Sequence, residues 1–264
     1  MLFFYKSNRF CLYKKIAKTR PRTCILNKYR MNQDTIDFFN QYKNHSFTYS
    51  PLPNTTSLQE KFHWIMFQSG APWLKLLGID APYQDMLSEA QNLKDRFVYH
   101  RNEEGCHRGW RSLAIHGIAS DKTNVPETYG LNPLEASYSW TDIQDHCPIT
   151  VDFFKNKFPY KSYQRLRFML LEAGGYIMPH SDSSQCFLGA AINISLNNPP
   201  ECRMTTVNGT VPFLDSGSVI FFNNYYKHAV WNASNQDRYH IIVHGAWDEK
   251  IMSMVVDSYQ SVAG

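Results

Sequence analysis

The sequence predicts a mainly β fold with helices on its N-terminal side, and three observations support this fold class. From about residue 163 to residue 247, short apolar and aromatic runs alternate with turn signals about every 8–12 residues, as in antiparallel sandwiches and barrels. The 17 Phe, 16 Tyr and 6 Trp residues suit the pleated surface of a broad sheet. From about residue 32 to residue 98, apolar residues instead recur with a helical period. Hydrophobic residues make up 43% and charged residues 19% of the chain, which indicates a globular protein.

The first part of the chain, residues 1–31, differs from the rest in charge. Residues 1–30 hold nine Lys or Arg and no Asp or Glu, whereas acidic residues outnumber basic ones in the remainder. We interpret the segment as a basic leader outside the folded core. It could be an organelle transit segment, a basic arm, or a stretch upstream of a start at Met31. The charge of the remaining chain gives no reason to expect a nucleic-acid partner.

Features that relate to location favour the cytoplasm, with organelle targeting by residues 1–30 as the alternative. No apolar run reaches the about 18–20 residues that a membrane helix needs, so no membrane span is expected. The 6 cysteines show no CxxC spacing. Reduced thiols are therefore expected rather than a disulfide framework.

Residues 32–98 are predicted to form a helical region that supports the sheet. Ser57 precedes Glu60 by three residues, the spacing of a capping box at a helix start, and Gly70 ends the apolar run that follows. A further helix is indicated by one apolar stripe, formed by Met86, Leu87, Ala90, Leu93 and Phe97. Both helices are expected to cover one face of a sheet.

Residues 99–250 are predicted to form the β domain, and residues 251–264 a C-terminal tail. Residues 109–118 are predicted to be extended, and residues 147–158 to contain a short helix. Between them, residues 119–147 form a long polar excursion, which in a compact domain is usually a lid or a binding loop, or else disordered. Tight turns are then predicted at Gly174-Gly175, Asn208-Gly209 and Asp215-Ser216-Gly217.

The run MPHSDSSQC, residues 178–186, places His180 and Asp182 two positions apart. In an extended strand, residues two apart project from the same face, so the two side chains would share one sheet surface. His228, 46 residues after Asp182, is a candidate third ligand. Two imidazoles and one carboxylate can hold Fe(II) and leave open the positions that dioxygen and a bidentate co-substrate need. Zinc could use the same ligands, so the triad alone does not identify the metal.

Arg238 is a candidate anchor for such a co-substrate. It follows His228 by ten residues, and the intervening WNASNQD is predicted to be a turn that places the two residues on adjacent antiparallel strands. A guanidinium buried close to a metal site is costly unless it pairs with an anion. The distal carboxylate of a metal-chelating dicarboxylate would supply that anion. An iron triad with a downstream arginine is typical of 2-oxoglutarate oxygenases.

Residues 163–247 resemble the aspartyl/asparaginyl β-hydroxylase family of Fe(II)/2-oxoglutarate-dependent oxygenases, and GWRSLAIHGI (109–118) does so more weakly. The resemblance lies in PHSD, AAINISL, GSVIFFNN, HAVWN and the spacing to Arg238. It implies a double-stranded β-helix (jelly-roll, cupin-like) core, with His180 and His228 as iron ligands and Arg238 on the C5 carboxylate of 2-oxoglutarate. The implied cofactors are Fe(2+), 2-oxoglutarate and O2. The implied reaction hydroxylates an amino-acid or peptidyl side chain (Asp/Asn- or Pro-like), with release of succinate and CO2.

Two departures from the family pattern concern the ligands. Asp182 stands where the animal aspartyl β-hydroxylases have Gly, so this chain has the complete HxD pattern of the free-proline hydroxylase branch. The Arg and His that usually contact the inner carboxylate of the co-substrate are replaced by Gly189 and Ala191. Asn193 is the nearest polar substitute, and we predict it to be a cofactor-binding residue. These departures leave open whether the substrate is a protein or a free amino acid.

Four further residues are predicted substrate contacts. Arg165 and Arg167 share one sheet face, which either meets an acidic substrate group or is a solvated outer face. Trp110 and Arg111 are predicted to line the pocket entrance.

Two alternative functions stay open. A non-catalytic cupin-like module could bind a metal or a small molecule, but it would not need Arg238. A zinc hydrolase would need a general base, and none is evident beside the triad. His240 and His244 are predicted to be ordinary core histidines. The oligomeric state is not predicted.

Overall fold

The structure is a computed structural model that describes residues 31–101, 107–182, 191–211 and 215–263. The predicted basic leader, apart from Met31, and Gly189 therefore lie outside the described residues. The division of the chain into leader, helical region, β domain and tail stays a prediction. Among the described residues, no helix has both the length and the apolar character needed to cross a membrane.

In the part of the chain that the structure describes, five α-helices flank the sheet. They are α1 Gln33–Tyr42, α2 Leu58–Phe67, α3 Tyr83–Asn92, α4 Pro148–Asn156 and α5 Glu249–Gln260. Half of the predicted capping box forms at α2, where Ser57 Oγ accepts a hydrogen bond from the Glu60 amide at 3.2 Å. The Glu60 carboxylate accepts from the Thr55 hydroxyl instead of the Ser57 amide. Helix α5 lies in the predicted tail, and the sequence analysis assigned no helix there.

Among the described residues, eleven strands form one antiparallel sheet that folds back on itself as a barrel. They are β1 Trp73–Lys75, β2 Val98–Tyr99, β3 His107–Gly117, β4 Ser139–Trp140, β5 Tyr163–His180, β6 Ala191–Ser195, β7 Cys202–Thr206, β8 Gly209–Val211, β9 Val219–Phe222, β10 His228–Asn232 and β11 Arg238–Gly245. The order β1-β9-β6-β11-β5-β10-β7-β8 runs around the barrel, and β3 pairs with the other edge of β5. The predicted mainly β fold is confirmed, and the topology is that of a double-stranded β-helix.

Strand β5 connects the two halves of the barrel because it bends in its middle. Its first half pairs with β11, where Leu171 lies opposite Arg238, and its second half pairs with β10, where Tyr176 lies opposite Trp231. The bend lies at Gly174, whose φ of +69° is the left-handed conformation that favours glycine. Between the two halves, the side-chain amide of Asn232, which is fully buried, donates to three backbone carbonyls.

The bend also explains why one prediction is wrong. His228 and Arg238 were predicted to lie on adjacent, paired strands, but β10 and β11 do not pair with each other. Each pairs with a different half of β5, along the same edge. The 18 residues of β5 supply enough backbone to pair with both strands in succession, so the turn between β10 and β11 joins the two layers of the barrel.

The two faces of the sheet have different neighbours. Alternate residues of β11 (Tyr239, Ile241 and Val243) belong to an apolar core that also contains residues of the helices. The other residues of β11, beginning with Arg238, point into the barrel. The inner face is therefore the only part of this strand that is available to a ligand.

The cysteines that the structure describes are reduced. Cys147 and Cys202 are buried free thiols. Burial raises the pKa of the Cys147 thiol to about 12, so this thiol is unreactive at neutral pH.

Candidate metal centre and cavity

His180, Asp182 and His228 come together at one end of the barrel, with one ligand atom of each within 4.8 Å of the others. His180 is the last residue of β5 and lies opposite His228, the first residue of β10. Asp182 lies two residues beyond the end of β5, so it does not share a strand face with His180 as predicted. Its amide nevertheless donates to the carbonyl of Asn224 at 3.0 Å, and this hydrogen bond keeps the carboxylate beside the imidazoles.

The two histidines are oriented in the same way. His180 Nδ1 lies 2.8 Å from the carbonyl oxygen of Met178, and His228 Nδ1 lies 2.9 Å from that of Tyr226. A carbonyl only accepts, so each Nδ1 carries the proton and each Nε2 presents a lone pair. This second contact fixes both the tautomer and the ring orientation that a metal ligand needs.

Asp182 is held from two sides. Its Oδ2 accepts a hydrogen bond from the Asn224 side-chain amide at 2.8 Å, and its Oδ1 lies 3.7 Å from both the Arg101 guanidinium and His180 Nε2. Burial raises the pKa of the Asp182 carboxyl, but the His228 and His180 imidazoles and the Asn224 amide outweigh it, so the pKa lies below its usual range. The carboxylate is therefore ionised at neutral pH.

His228 is neutral at the same pH. Burial and the nearby His180 lower its pKa to about 4, and the Asp182 carboxylate only partly opposes them. A neutral imidazole and an ionised carboxylate are the protonation states that bind a divalent metal. The centre is thus in its ligating form without a prior loss of protons from His228 or Asp182.

A cavity of about 370 Å³ extends from this centre into the barrel. One part of its wall is apolar and is formed by Met169, Ile177, Met204, Phe222, Val230 and Ile242. The wall also carries Arg101 and three buried arginines, Arg165, Arg167 and Arg238, with exposed fractions of 8%, 5% and 1%. A ligand in this cavity would therefore contact both apolar side chains and guanidinium groups.

Most of the residues that the sequence predicted for the site line this one cavity. They are His180, Asp182, His228, Arg238, Asn193, Arg165, Arg167 and Trp110. The inward orientation of Arg165 and Arg167 rules out the alternative of a solvated outer face. The metal, cofactor and substrate roles of these residues stay predictions.

The prediction that Arg111 lines the cavity entrance is wrong, because consecutive residues of a strand face opposite sides and Trp110 takes the inner one. The Arg111 Nε lies 2.6 Å from the Glu172 carboxylate, and its guanidinium lies over the Tyr99 ring at 4.3 Å. These contacts hold it on the outer side of β3.

Three histidines that were not predicted to be part of the site lie in the cavity wall. His240 and His244 were predicted to be ordinary core residues, yet both line the cavity, and so does His100. The Nδ1 atoms of His240 and His244 have no hydrogen-bond partner among the described residues. The sequence could have predicted this placement, because His240 and His244 lie an even number of residues after Arg238 and therefore share its face of the strand.

The excursion at 119–147, predicted as a lid or a binding loop, contributes Asn124 and Val125 to the cavity wall. It contains short 3-10 helices at Pro126–Tyr129 and Asp142–His146 and the strand β4. Arg167 Nη1 donates to the carbonyl of Thr123 at 2.6 Å, which ties the start of the excursion to the barrel interior. The segment therefore covers part of the cavity.

Comparisons with solved structures give similarities of fold at low identity. A Pseudomonas putida prolyl-4-hydroxylase is 14% identical over 73% of this chain and 100% of its own, with a TM-score of 0.39. A prolyl hydroxylase from Trichoplax adhaerens, solved with a hypoxia inducible factor peptide fragment, is 13% identical over 75% of this chain and 93% of its own, with a TM-score of 0.40. A viral collagen prolyl hydroxylase from Paramecium Bursaria Chlorella virus-1, in a 2OG complex, is 14% identical over 66% of this chain and 96% of its own, with a TM-score of 0.35.

Comparison of the sequence with protein-family models identifies the family of this chain. No curated protein sequence matches the chain significantly. The sequence model of the aspartyl/asparaginyl β-hydroxylase family, however, matches residues 78–246, a range that contains strands β2 to β11 and the whole His-Asp-His cluster. Because this match covers more than half of the chain, the protein belongs to the aspartyl/asparaginyl β-hydroxylase family of oxygenases.

Proposed function

We propose that the protein is an Fe(II)- and 2-oxoglutarate-dependent dioxygenase that hydroxylates an amino-acid or peptidyl side chain and releases succinate and CO2. The observation that carries this proposal is the shared cavity of the His-Asp-His cluster and Arg238. A metal site alone would fit several chemistries, whereas a metal site facing a buried guanidinium fits a chelating dicarboxylate.

The donor set fits Fe(II). His180, Asp182 and His228 supply two imidazole nitrogens and one carboxylate oxygen, a facial set that leaves coordination positions open. Asn224 and the backbone carbonyls behind the histidines hold these ligands in place. Bound Fe(II) would supply the activation of dioxygen that couples oxidative decarboxylation of 2-oxoglutarate to hydroxylation of a substrate C–H bond.

Two residues fit the co-substrate. Arg238 is 1% exposed and lies on the inner face of β11, so its guanidinium can meet a carboxylate away from bulk water. Asn193 on β6 is 3% exposed, and its Nδ2 has no hydrogen-bond partner among the described residues. In this proposal Arg238 binds the distal carboxylate of 2-oxoglutarate, and Asn193 donates to an oxygen nearer the metal. The apolar residues that line the same cavity would exclude water from the reacting atoms.

The test is succinate formation by the purified protein with Fe(II), ascorbate, 2-oxoglutarate and dioxygen. It would be run without a prime substrate and then with pooled amino acids and peptides. Asp182→Ala and Arg238→Met are expected to abolish turnover, Asp182→Ala through loss of metal and Arg238→Met through loss of co-substrate. Arg111→Met is the matched control, because Arg111 lies outside the cavity, and it is expected to retain turnover.

Calorimetry supplies the second measurement, the binding of 2-oxoglutarate to the metal-loaded protein. Binding without turnover would indicate that the prime substrate is absent from the pools. Failure to bind, with folded protein confirmed by circular dichroism, would contradict the proposal and favour a non-catalytic cupin-like module that holds a metal.

A further inference from the structure

Within the part of the chain that the structure describes, the cavity wall carries more buried arginines than the one that the proposed co-substrate would use. Arg165, Arg167 and Arg238 line it, and among the described residues Asp182 is its one acidic lining residue. Asp182 belongs to the metal cluster and its carboxylate contacts Arg101. A buried guanidinium is strongly unfavourable unless it pairs with an anion, so a buried arginine of this wall that neither the protein nor 2-oxoglutarate neutralises would indicate a second anionic ligand group.

The three arginines differ in their contacts. Arg238 is the proposed partner of 2-oxoglutarate, and Arg167 donates to the carbonyl of Thr123 at 2.6 Å. Arg165 is 8% exposed and makes no hydrogen bond or ion pair with any residue that the structure describes. Arg165 is therefore the arginine whose guanidinium is available to a further ligand.

The strand register places Arg165 and Arg238 at opposite ends of the inner face. Arg238 lies opposite Leu171, beside the bend of β5, whereas Arg165 lies opposite His244, six residues back along the strand. Six residues of strand span about 20 Å, which separates the Cα positions by far more than the length of a five-carbon dicarboxylate. The two guanidinium groups therefore enter the cavity from well-separated positions along the same pair of strands.

The same register places Arg165 at the end of the barrel that holds the metal cluster. From the bend, one half of β5 runs to His180 and the other half runs back to Arg165, so both residues lie away from the bend, on opposing layers. A co-substrate between the metal and Arg238 would occupy the bend end. A prime substrate entering over the metal would meet Arg165.

His244 supplies a second donor beside Arg165. It is 5% exposed, lines the cavity and has an Nδ1 without a partner among the described residues. Burial and the charges of Arg165 and Arg167 lower its pKa well below the usual range, so it stays neutral and can donate one N–H. A forked guanidinium beside an imidazole N–H suits the two oxygens of a carboxylate.

Resting on the proposed function, we propose that Arg165, assisted by His244, binds a carboxylate of the prime substrate. That carboxylate has two possible sources, the α-carboxylate of a free amino acid or the side-chain carboxylate of an acidic peptide residue. A peptide segment without a carboxylate would not bind well in either case, because it offers no negative charge to the Arg165 guanidinium.

The test measures binding rather than turnover. Protein loaded with Mn(II) and N-oxalylglycine, an unreactive 2-oxoglutarate analogue, is titrated calorimetrically with four probes. L-proline and L-asparagine carry only an α-carboxylate, N-acetyl-aspartyl amide carries only a side-chain carboxylate, and N-acetyl-asparaginyl amide carries neither. Binding of the first pair or of the third probe, without binding of the fourth, is expected and identifies the source.

Substitutions then assign the binding to Arg165. Arg165→Gln is expected to weaken the carboxylate probe about 10- to 100-fold, as for loss of a charge-assisted hydrogen bond, and Arg165→Lys is expected to restore part of the affinity. Arg111→Gln, outside the cavity, is expected to match the parent. Equal affinity for the carboxylate-free probe, no binding of any probe, or an unchanged affinity in Arg165→Gln would overturn the proposal. Failure of N-oxalylglycine to bind the parent would instead remove the proposed function, and this inference with it.

Discussion

Acidification from pH 7 to pH 5 is expected to lower the free energy of unfolding of the metal-free protein by several kcal/mol, because buried histidines of the folded state resist protonation. His100, His240 and His244 have exposed fractions of 8%, 5% and 5%, and burial, together with nearby arginines, lowers the pKa of each well below 6.5. In the unfolded chain each histidine titrates near pH 6.5. Below that pH the unfolded state takes up protons that the folded state does not, so stability falls as the pH falls.

The magnitude follows from the width of this pH window. Each pH unit below 6.5 costs about 1.4 kcal/mol for each histidine that stays neutral in the folded state, which gives about 2 kcal/mol for each by pH 5. His107 and His228, whose pKa values are lowered to about 4 mainly by burial, act in the same direction. The loss is comparable to the whole stability of about 5–15 kcal/mol that is typical of a folded domain.

The assay is urea denaturation of the metal-free protein, followed by tryptophan fluorescence at pH 7, 6 and 5. His244→Gln, which cannot take up a proton, is expected to reduce the loss between pH 7 and pH 5 by about 2 kcal/mol. His63→Gln, on the exposed side of α2, is the matched control and is expected to show the full loss. A parent protein that loses less than about 2 kcal/mol over this range would refute the reasoning, because even one neutral buried histidine requires that much.

Three further predictions concern stability and use the same denaturation assay at pH 7. Gly175→Ala would place a Cβ 2.7 Å and 2.8 Å from two backbone oxygens, and we expect a loss of about 1–3 kcal/mol. Gly130→Ala, where a Cβ meets open space and only the positive φ opposes it, should lose less than Gly175→Ala does. Asn232→Ala removes a buried amide that donates to three carbonyls, with an expected loss of about 2–4 kcal/mol, and a loss below 1 kcal/mol would contradict this account. Glu89→Gln should cost about 2–3 kcal/mol because the carboxylate accepts three hydrogen bonds at the start of α4, whereas exposed Glu127→Gln should cost nothing measurable.

The cluster of His180, Asp182 and His228 was predictable because it rests on short sequence motifs and their spacing. His180 and Asp182 belong to one short motif, and the distance to His228 and Arg238 matches a family pattern. The strand pairing was not predictable in the same way. The turn after His228 suggested a hairpin, but β5 is long enough to pair with both β10 and β11, and that competition depends on backbone far away in the chain.

The basic wall of the cavity was only partly predictable. Alternation grouped Arg165 with Arg167, but it does not say which face of a strand points inward. For the same reason, the sequence did not show which of Trp110 and Arg111 faces the cavity, because two consecutive strand residues point to opposite sides. Helix α5 was missed although Asp248, whose carboxylate accepts from the Ile251 amide, provides an N-terminal cap in the sequence.

The bend in β5 also fixes the distance between the two ends of the cavity that a substrate would contact. One continuous strand carries Arg165 on one arm and His180 on the other, so the angle at Gly174 and Gly175 sets the gap between the substrate's proposed carboxylate anchor and the metal cluster. The buried Asn232 amide stabilises this bend, because it donates to the carbonyls of Leu171 and Glu172 just before it. If the proposed function holds, a relative with a different bend would hold the same groups at another spacing and would place a different carbon of its substrate at the metal.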